Sequence, residues 1–177
     1  MLNFRNLVVG GLLALCASMG LRVVWAQQNQ SKVNDEAVNR TRETVKMLDD
    51  IYKTTVVLIT DKYVHDEDDF PAGSAAIALF EAINKKGWHT VRLLDVTGQP
   101  YDAKNVAKDD FEKRAVEKIR KGESYVEEVS TGEKGRELLA MTAVPVVLEK
   151  CVLCHPHYKD VPEGEAIGVI SYRLPIR

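Results

Sequence analysis

The sequence is poor in cysteine, has no surplus of positive charge, and contains neither an internal repeat nor a low-complexity segment. Its three cysteines are too few for the network of disulfide bonds that stabilises many small secreted domains. Lysine and arginine number 24 against 26 acidic residues, which argues against nucleic acid or anionic lipid as a principal partner. With 28% charged and 45% hydrophobic residues, the 177-residue chain has the composition of one folded domain.

The N-terminus has the layout of a secretory signal peptide. Arg5 precedes an apolar run over residues 7–19, and the small residues Val24 and Ala26 lie just before a polar segment. This arrangement predicts cleavage after Ala26 and export of the protein. The alternative is an uncleaved anchor that holds the protein on a membrane, but Arg22 interrupts a stretch already short for a bilayer span.

Cleavage at this point divides the chain into three parts. Residues 1–26 are the predicted signal peptide, 27–34 a flexible polar leader, and 35–177 a single folded domain. Cleavage removes Cys16 and two arginines but no acidic residue, so the net charge falls from −2 to −4 and two cysteines remain. We therefore expect a periplasmic or otherwise exported protein that is soluble after cleavage.

Helices are predicted mainly in the first half of the domain. A second helix is expected over residues 74–86, and a third over 109–121, where Gly122 ends it. The first predicted helix is long and N-terminal, because apolar residues there recur at steps of three, four or seven. Asn34 or Ser31 is its candidate N-cap. Its predicted buried stripe comprises Val38, Val45, Leu48, Tyr52, Val56, Ile59 and Tyr63.

Strands are predicted mainly in the second half. Alternating or β-branched segments occupy residues 88–96, 123–130, 137–148 and 166–174. Helices followed by strands indicate an α+β domain with an antiparallel sheet. Two cysteines lie in the connection between the last two strands.

This connection contains Cys151-Val152-Leu153-Cys154-His155, the attachment signature of c-type haem. Two intervening residues let both sulfurs form thioethers with the two vinyl groups on one edge of a porphyrin. The histidine then lies beneath the ring, where its imidazole can be an axial ligand of the iron. The motif predicts one covalently attached haem c, held by Cys151, Cys154 and His155.

Three other kinds of site use paired cysteines. A zinc site would need two histidines beside Cys151 and Cys154, and His155 and His157 are too close together for the usual finger spacing. A thioredoxin-like dithiol would open a helix in a βαβ unit, which Pro156 and the α+β order do not favour. A plain disulfide would leave His155 without a role.

Other residues are candidates for the surroundings of the iron. His65, in an acidic loop, is a candidate distal ligand, whereas His89 is expected to be a polar neighbour and His157 a surface residue or hydrogen-bond donor. Met47 and Met141 are expected in the core. Three arginines could neutralise haem propionates or lie at the surface: Arg92, Arg136 and Arg173.

The sequence resembles the PAS-like c-type haem domain family, which includes a soluble cyanobacterial monohaem protein and sensor modules of bacterial signalling proteins. The likeness is concentrated in the haem motif and in two flanking segments, residues 143–147 (AVPVV) and 164–175 (GEAIGVISYRLP). Residues 87–88 and 100–105, with Arg92, also fit the family pattern. The resemblance covers most of the chain after about residue 35.

The resemblance implies thioethers at Cys151 and Cys154, iron ligation by His155, and a long N-terminal helix before a PAS-like antiparallel sheet. The cyanobacterial member uses a cysteine as second axial ligand, whereas this chain has alanine, glycine and serine at residues 72–74. Thiolate ligation is therefore not expected. The iron would be five-coordinate or would bind His65 or another weak ligand.

Two functions follow from this reading. The first is periplasmic electron transfer with a redox partner protein. The alternative is a haem-based sensor of redox state or of a small diatomic gas that signals through a separate partner. Because the last predicted strand ends three residues before Arg177, we expect no attached output domain, which favours the carrier. No distal pair of histidine and arginine is evident, so we do not expect an enzyme.

Overall fold

The computed structural model describes residues 35–66, 70–132 and 135–177, without the side chain of Cys154. The predicted signal peptide, the leader and the helix cap at Asn34 or Ser31 lie outside these ranges. Residues 40–177 form one compact unit, and residues 35–39 belong to another. No helix in the described ranges combines the length and hydropathy needed to cross a membrane.

The fold is α+β, and the predicted order of a long N-terminal helix before an antiparallel sheet is confirmed. The described strands form one sheet in the order β1-β4-β3-β2, in which every neighbouring pair is antiparallel. Its strands are β1 (Thr90–Asp95), β2 (Tyr125–Gly132), β3 (Gly135–Pro145) and β4 (Ala166–Pro175). The helices are α1 (35–63), α2 (Ala72–Asn84), α3 (Asp110–Arg120) and the short α4 (Cys151–Cys154), which a 3₁₀ helix (Pro156–Asp160) follows.

Helix α3 covers one face of the sheet, and its sequence explains both of its ends. The Asp109 side chain accepts a hydrogen bond from the backbone N–H of Glu112 at 3.0 Å, and Gly122 follows the helix with a φ of 100°. Apolar residues four positions apart then fall on one side and pack against β1 to β4. This packed core consists of Phe111, Ala115, Ile119, Leu94, Val96, Val126, Leu139, Met141 and Val169.

Helices α1 and α2 cover the opposite face. The Asp49 carboxylate of α1 accepts hydrogen bonds from Thr142 Oγ1 at 2.6 Å and from the Tyr172 hydroxyl at 3.0 Å. At the end of α2, the Asn84 side chain both donates to and accepts from the backbone of Val91, at 2.9 and 2.8 Å. These polar contacts fix both helices on the sheet and leave apolar residues of α1 and α2 facing each other.

The predicted stripe of α1 is correct in its middle and wrong at its end. Val45 and Tyr52 are buried, but Tyr63 is 74% exposed, and the neighbouring Val64 is buried instead. Met47 is 54% exposed, so its assignment to the core is wrong, whereas Met141 is fully buried as expected. Tyr63 is the last residue of α1 and Val64 lies beyond it, so the helical period no longer decides which side chain is buried at this end.

Candidate functional site

A cavity of about 540 Å³ lies on the sheet face that α1 and α2 cover. This volume falls in the range of about 300–1,000 Å³ that is typical of ligand and cofactor pockets. Its walls come from α1, α2, β1, β4 and the segment that follows β3, and they are mostly apolar. The apolar lining includes Val56, Val57, Val64, Ala76, Ile77, Phe80, Leu93, Val144, Val147, Leu148, Ile167 and Ile170.

The haem attachment motif closes one side of this cavity. Cys151 and His155 both line it, and the Cys151 thiol is not in a disulfide bond. Cys154 is the last residue of α4, and its side chain is outside the described part of the structure. The Lys150 ammonium donates a hydrogen bond to the carbonyl of Asp61 at 2.7 Å, which ties the motif to α1.

The His155 imidazole is half-buried between two tyrosines. The Tyr158 ring stacks on it with centroids 4.6 Å apart and an angle of 17°, and Tyr101 makes an edge contact at 5.3 Å. Burial lowers the pKa of His155, the neighbouring His157 lowers it further, and the Asp95 carboxylate opposes both. A neutral imidazole, the form that coordinates metals, is therefore favoured at neutral pH.

Tyr158 also lines the cavity, and it was not predicted from the sequence. Burial raises the pKa of Tyr158 to about 12, so its phenol stays protonated at neutral pH. The 3₁₀ helix that begins at Pro156 places Tyr158 one turn after His155, and its N–H donates to the His155 carbonyl at 2.9 Å. The spacing of three residues was a signal for this contact, whereas Tyr101 was noted only as part of residues 100–105, which fit the family pattern.

None of the other histidines is among the described residues that line the cavity. His65 is exposed just before the undescribed residues 67–69 and is not among the residues that line the cavity, so its ligand role stays a prediction. His89 is a polar neighbour as expected, because its Nε2 lies 2.9 Å from the Tyr52 hydroxyl. His157 borders a second cavity, and its buried Nε2 has no hydrogen-bond partner in the described ranges.

The candidate arginines for haem propionates are engaged elsewhere. Arg92 pairs with Glu112 at 2.6 Å, and Arg173 pairs with Asp109. Arg136 lies at the start of β3, and neither it nor the other two lines the cavity. The basic side chains found in the described lining are those of Lys53 and Lys150. Among the described side chains, no group of three or more histidine, cysteine or carboxylate residues is arranged to hold a metal ion.

Comparison with known proteins gives one family and one fold. The model of the Tll0287-like family matches residues 27–175. The crystal structure of the cyanobacterial haem protein Tll0287 superposes with a TM-score of 0.50 over 77% of this chain and 95% of the other, at 10% identity. At that identity the likeness shows the fold alone. No curated protein sequence matches the chain.

Proposed function

Because the chain belongs to the Tll0287-like family, we propose that it is an exported protein with one covalently attached haem that acts in periplasmic electron transfer. The observation that carries the proposal is the position of the motif: Cys151 and His155 line the same large apolar cavity. In this proposal Cys151 and Cys154 would hold the porphyrin through thioethers, and His155 would be a ligand of the iron.

The residues of the cavity fit such a group. Its apolar walls suit a flat, largely apolar ring, and burial of His155 favours the neutral imidazole that binds iron. When bound, haem supplies an iron that gains and loses one electron. The chain's own residues exclude water and hold the ring in place. The described lining carries Lys53, which pairs with Asp49 at 2.9 Å, and Lys150, together with the carboxylates of Glu81, Asp95 and Asp102.

Export and the absence of catalysis are parts of the same proposal. Export depends on the signal-peptide layout of residues 1–26, and the family match begins at residue 27, directly after the proposed cleavage. We propose no enzymatic activity, because the sequence does not suggest a distal acid–base pair.

One observation favours the alternative function, a haem-based sensor of redox state or of a diatomic gas. The described lining of the cavity contains neither a methionine nor a histidine other than His155. A sixth position without a strong protein ligand would be open to a small molecule such as carbon monoxide. His65 stays a candidate for that position.

Two measurements on the matured, reduced protein separate the functions. Carrier function predicts complete electron exchange with a small periplasmic redox protein within the first second of stopped-flow mixing, and a Soret band unchanged by micromolar carbon monoxide. A prompt Soret shift together with exchange that takes minutes would favour the sensor and contradict the carrier.

The ligand assignment is tested by His155→Ala against the control His89→Ala, a histidine that does not line the cavity. Loss of the wild-type Soret and EPR spectra is expected for the first variant only. The same loss in both variants, or in neither, would contradict ligation by His155.

A further inference from the structure

Four aromatic rings meet beside the cavity, and we call them the ring cluster: Tyr101, His155, His157 and Tyr158. His155 is at its centre, since its ring contacts the other three at centroid distances of 4.6 to 5.8 Å. Only the contact with Tyr158 is face to face, at 17° between the ring planes. The others are edge contacts, at 79° for Tyr101 and 86° for His157.

A stacked ring restricts an imidazole more than an edge contact does. Rotation of the His155 ring about its Cβ–Cγ bond would turn the imidazole into the face of Tyr158 or separate the two rings. Tyr158 is itself held, because the 3₁₀ helix fixes its backbone and its N–H donates to the His155 carbonyl at 2.9 Å. Groups around a metal ligand that fix its ring orientation are a general feature of metal sites.

We infer that Tyr158 is a positioning residue that fixes the orientation of the His155 imidazole in the cavity, with Tyr101 as a weaker second restraint. The inference rests on the proposed function for the role of His155 as an axial ligand. The stacking itself does not depend on haem. Tyr101 has the smaller part because it is 80% exposed and contacts His155 edge-on.

The test compares Tyr158→Phe, which keeps the ring, with Tyr158→Leu, which removes it and keeps an apolar side chain of moderate size. Tyr63→Leu is the matched control, since Tyr63 is 74% exposed and does not line the cavity. Each full-length protein is made both without haem and with haem-maturation machinery. Thermal unfolding of all variants shows whether an effect is merely loss of folding.

In the haem-free proteins, NMR of the His155 imidazole protons reports the stacking directly. We expect an upfield ring-current shift in the wild type, Tyr158→Phe and Tyr63→Leu, and its loss in Tyr158→Leu. Equal shifts in the wild type and Tyr158→Leu would overturn the inference. This readout decides whether Tyr158 orients His155 even if the wild type takes up no haem. Failure of the wild type to take up haem would refute the proposed function but not this inference.

In the haem-loaded ferric proteins, EPR reports the orientation of the axial imidazole. We expect Tyr158→Leu to give broadened lines or a second set of g values, Tyr158→Phe to restore the wild-type spectrum, and Tyr101→Leu to show a smaller change. A wild-type spectrum for Tyr158→Leu, with stacking lost in the haem-free protein, would show that Tyr158 does not position the ligand and would overturn the inference.

Discussion

The two faces of the sheet are built differently. The centre of the face under α3 is closely packed: Ala115 and Met141 are fully buried, and the buried Glu112 carboxylate accepts hydrogen bonds from Arg92, Ser171 and the Lys108 N–H. The face under α1 and α2 contains a mostly apolar cavity of about 540 Å³, whereas the second cavity, of about 530 Å³, lies at the C-terminal end of α3 and is lined about equally by polar and apolar groups. Close packing maximises dispersion contacts and the burial of apolar surface. The side chains around an apolar void lack those contacts on one side. This difference is the one expected if the first face provides stability and the second binds the proposed haem.

The largest effect is expected at the charge buried in the packed face. Glu112→Ala should lower the free energy of unfolding by about 3 kcal/mol or more, because it leaves Arg92 without its carboxylate partner. Urea denaturation measures this loss. The control, Glu128→Ala, removes an exposed ion pair with Arg114 and should cost less than about 1 kcal/mol. Equal losses at both positions would show that the packed face does not depend on Glu112.

A matched pair of leucines compares the two faces directly. Leu139→Ala, in the packed core, should cost about 3 kcal/mol, since a closely packed site leaves a cavity behind. Leu93→Ala, in the cavity lining, should cost about 1 kcal/mol in the haem-free protein, because that side chain already faces a void.

Haem loading should change the cost of one of these two leucine substitutions and not that of the other. The cost of Leu93→Ala should rise once a porphyrin contacts the lining, and the cost of Leu139→Ala should stay the same. Urea denaturation of both variants, with and without haem, measures these costs in unfolding free energy. An equal change in the two costs on haem loading would contradict the distinction between the faces.

A smaller, pH-dependent effect is expected on the cavity face at the pair of Glu127 and Arg42. Hydrogen bonds from Arg42, at 2.6 to 2.9 Å, hold the pKa of Glu127 below its ordinary value of 4.5, although burial opposes them. The folded state therefore binds fewer protons than the unfolded state, and stability from this pair is complete above pH 4.5 and lost as the pH falls through the lowered pKa.

The substitution Glu127→Gln tests this linkage. It should cost about 1 kcal/mol at neutral pH and progressively less on acidification, as followed by urea denaturation across pH. Glu117→Gln, at an exposed position of α3, serves as the control. A cost for Glu127→Gln that is independent of pH would contradict the assignment.

Sequence reasoning located the elements of this fold because their signals are local. The helix predicted over residues 109–121 spans Asp110–Arg120, since a capping aspartate and a terminal glycine set its ends. The strand predicted to reach residue 148 ends at Pro145, where the register with β4 shifts. Proline has no N–H for the ladder, so this boundary was readable in the sequence.

The candidate site was predictable only in part, because tertiary contacts decide the rest. The motif marked Cys151 and His155, but the loop after β1 is what brings Tyr101 to the imidazole. Arg92 was a candidate for a propionate, yet the fold places it beside Glu112, twenty residues away in the chain. Residues distant in sequence meet according to packing, which a pattern of spacing does not encode.

The central claim is that a porphyrin is attached covalently at residues 151–155, and one measurement tests it most directly. Full-length protein produced with haem-maturation machinery is examined by a pyridine haemochrome spectrum and by intact mass spectrometry, beside a Cys151→Ala/Cys154→Ala double variant. The account predicts one haem with two thioether bonds in the wild type, and none covalently bound in the double variant. Colourless wild-type protein with Cys151 and Cys154 both free to alkylation would contradict it.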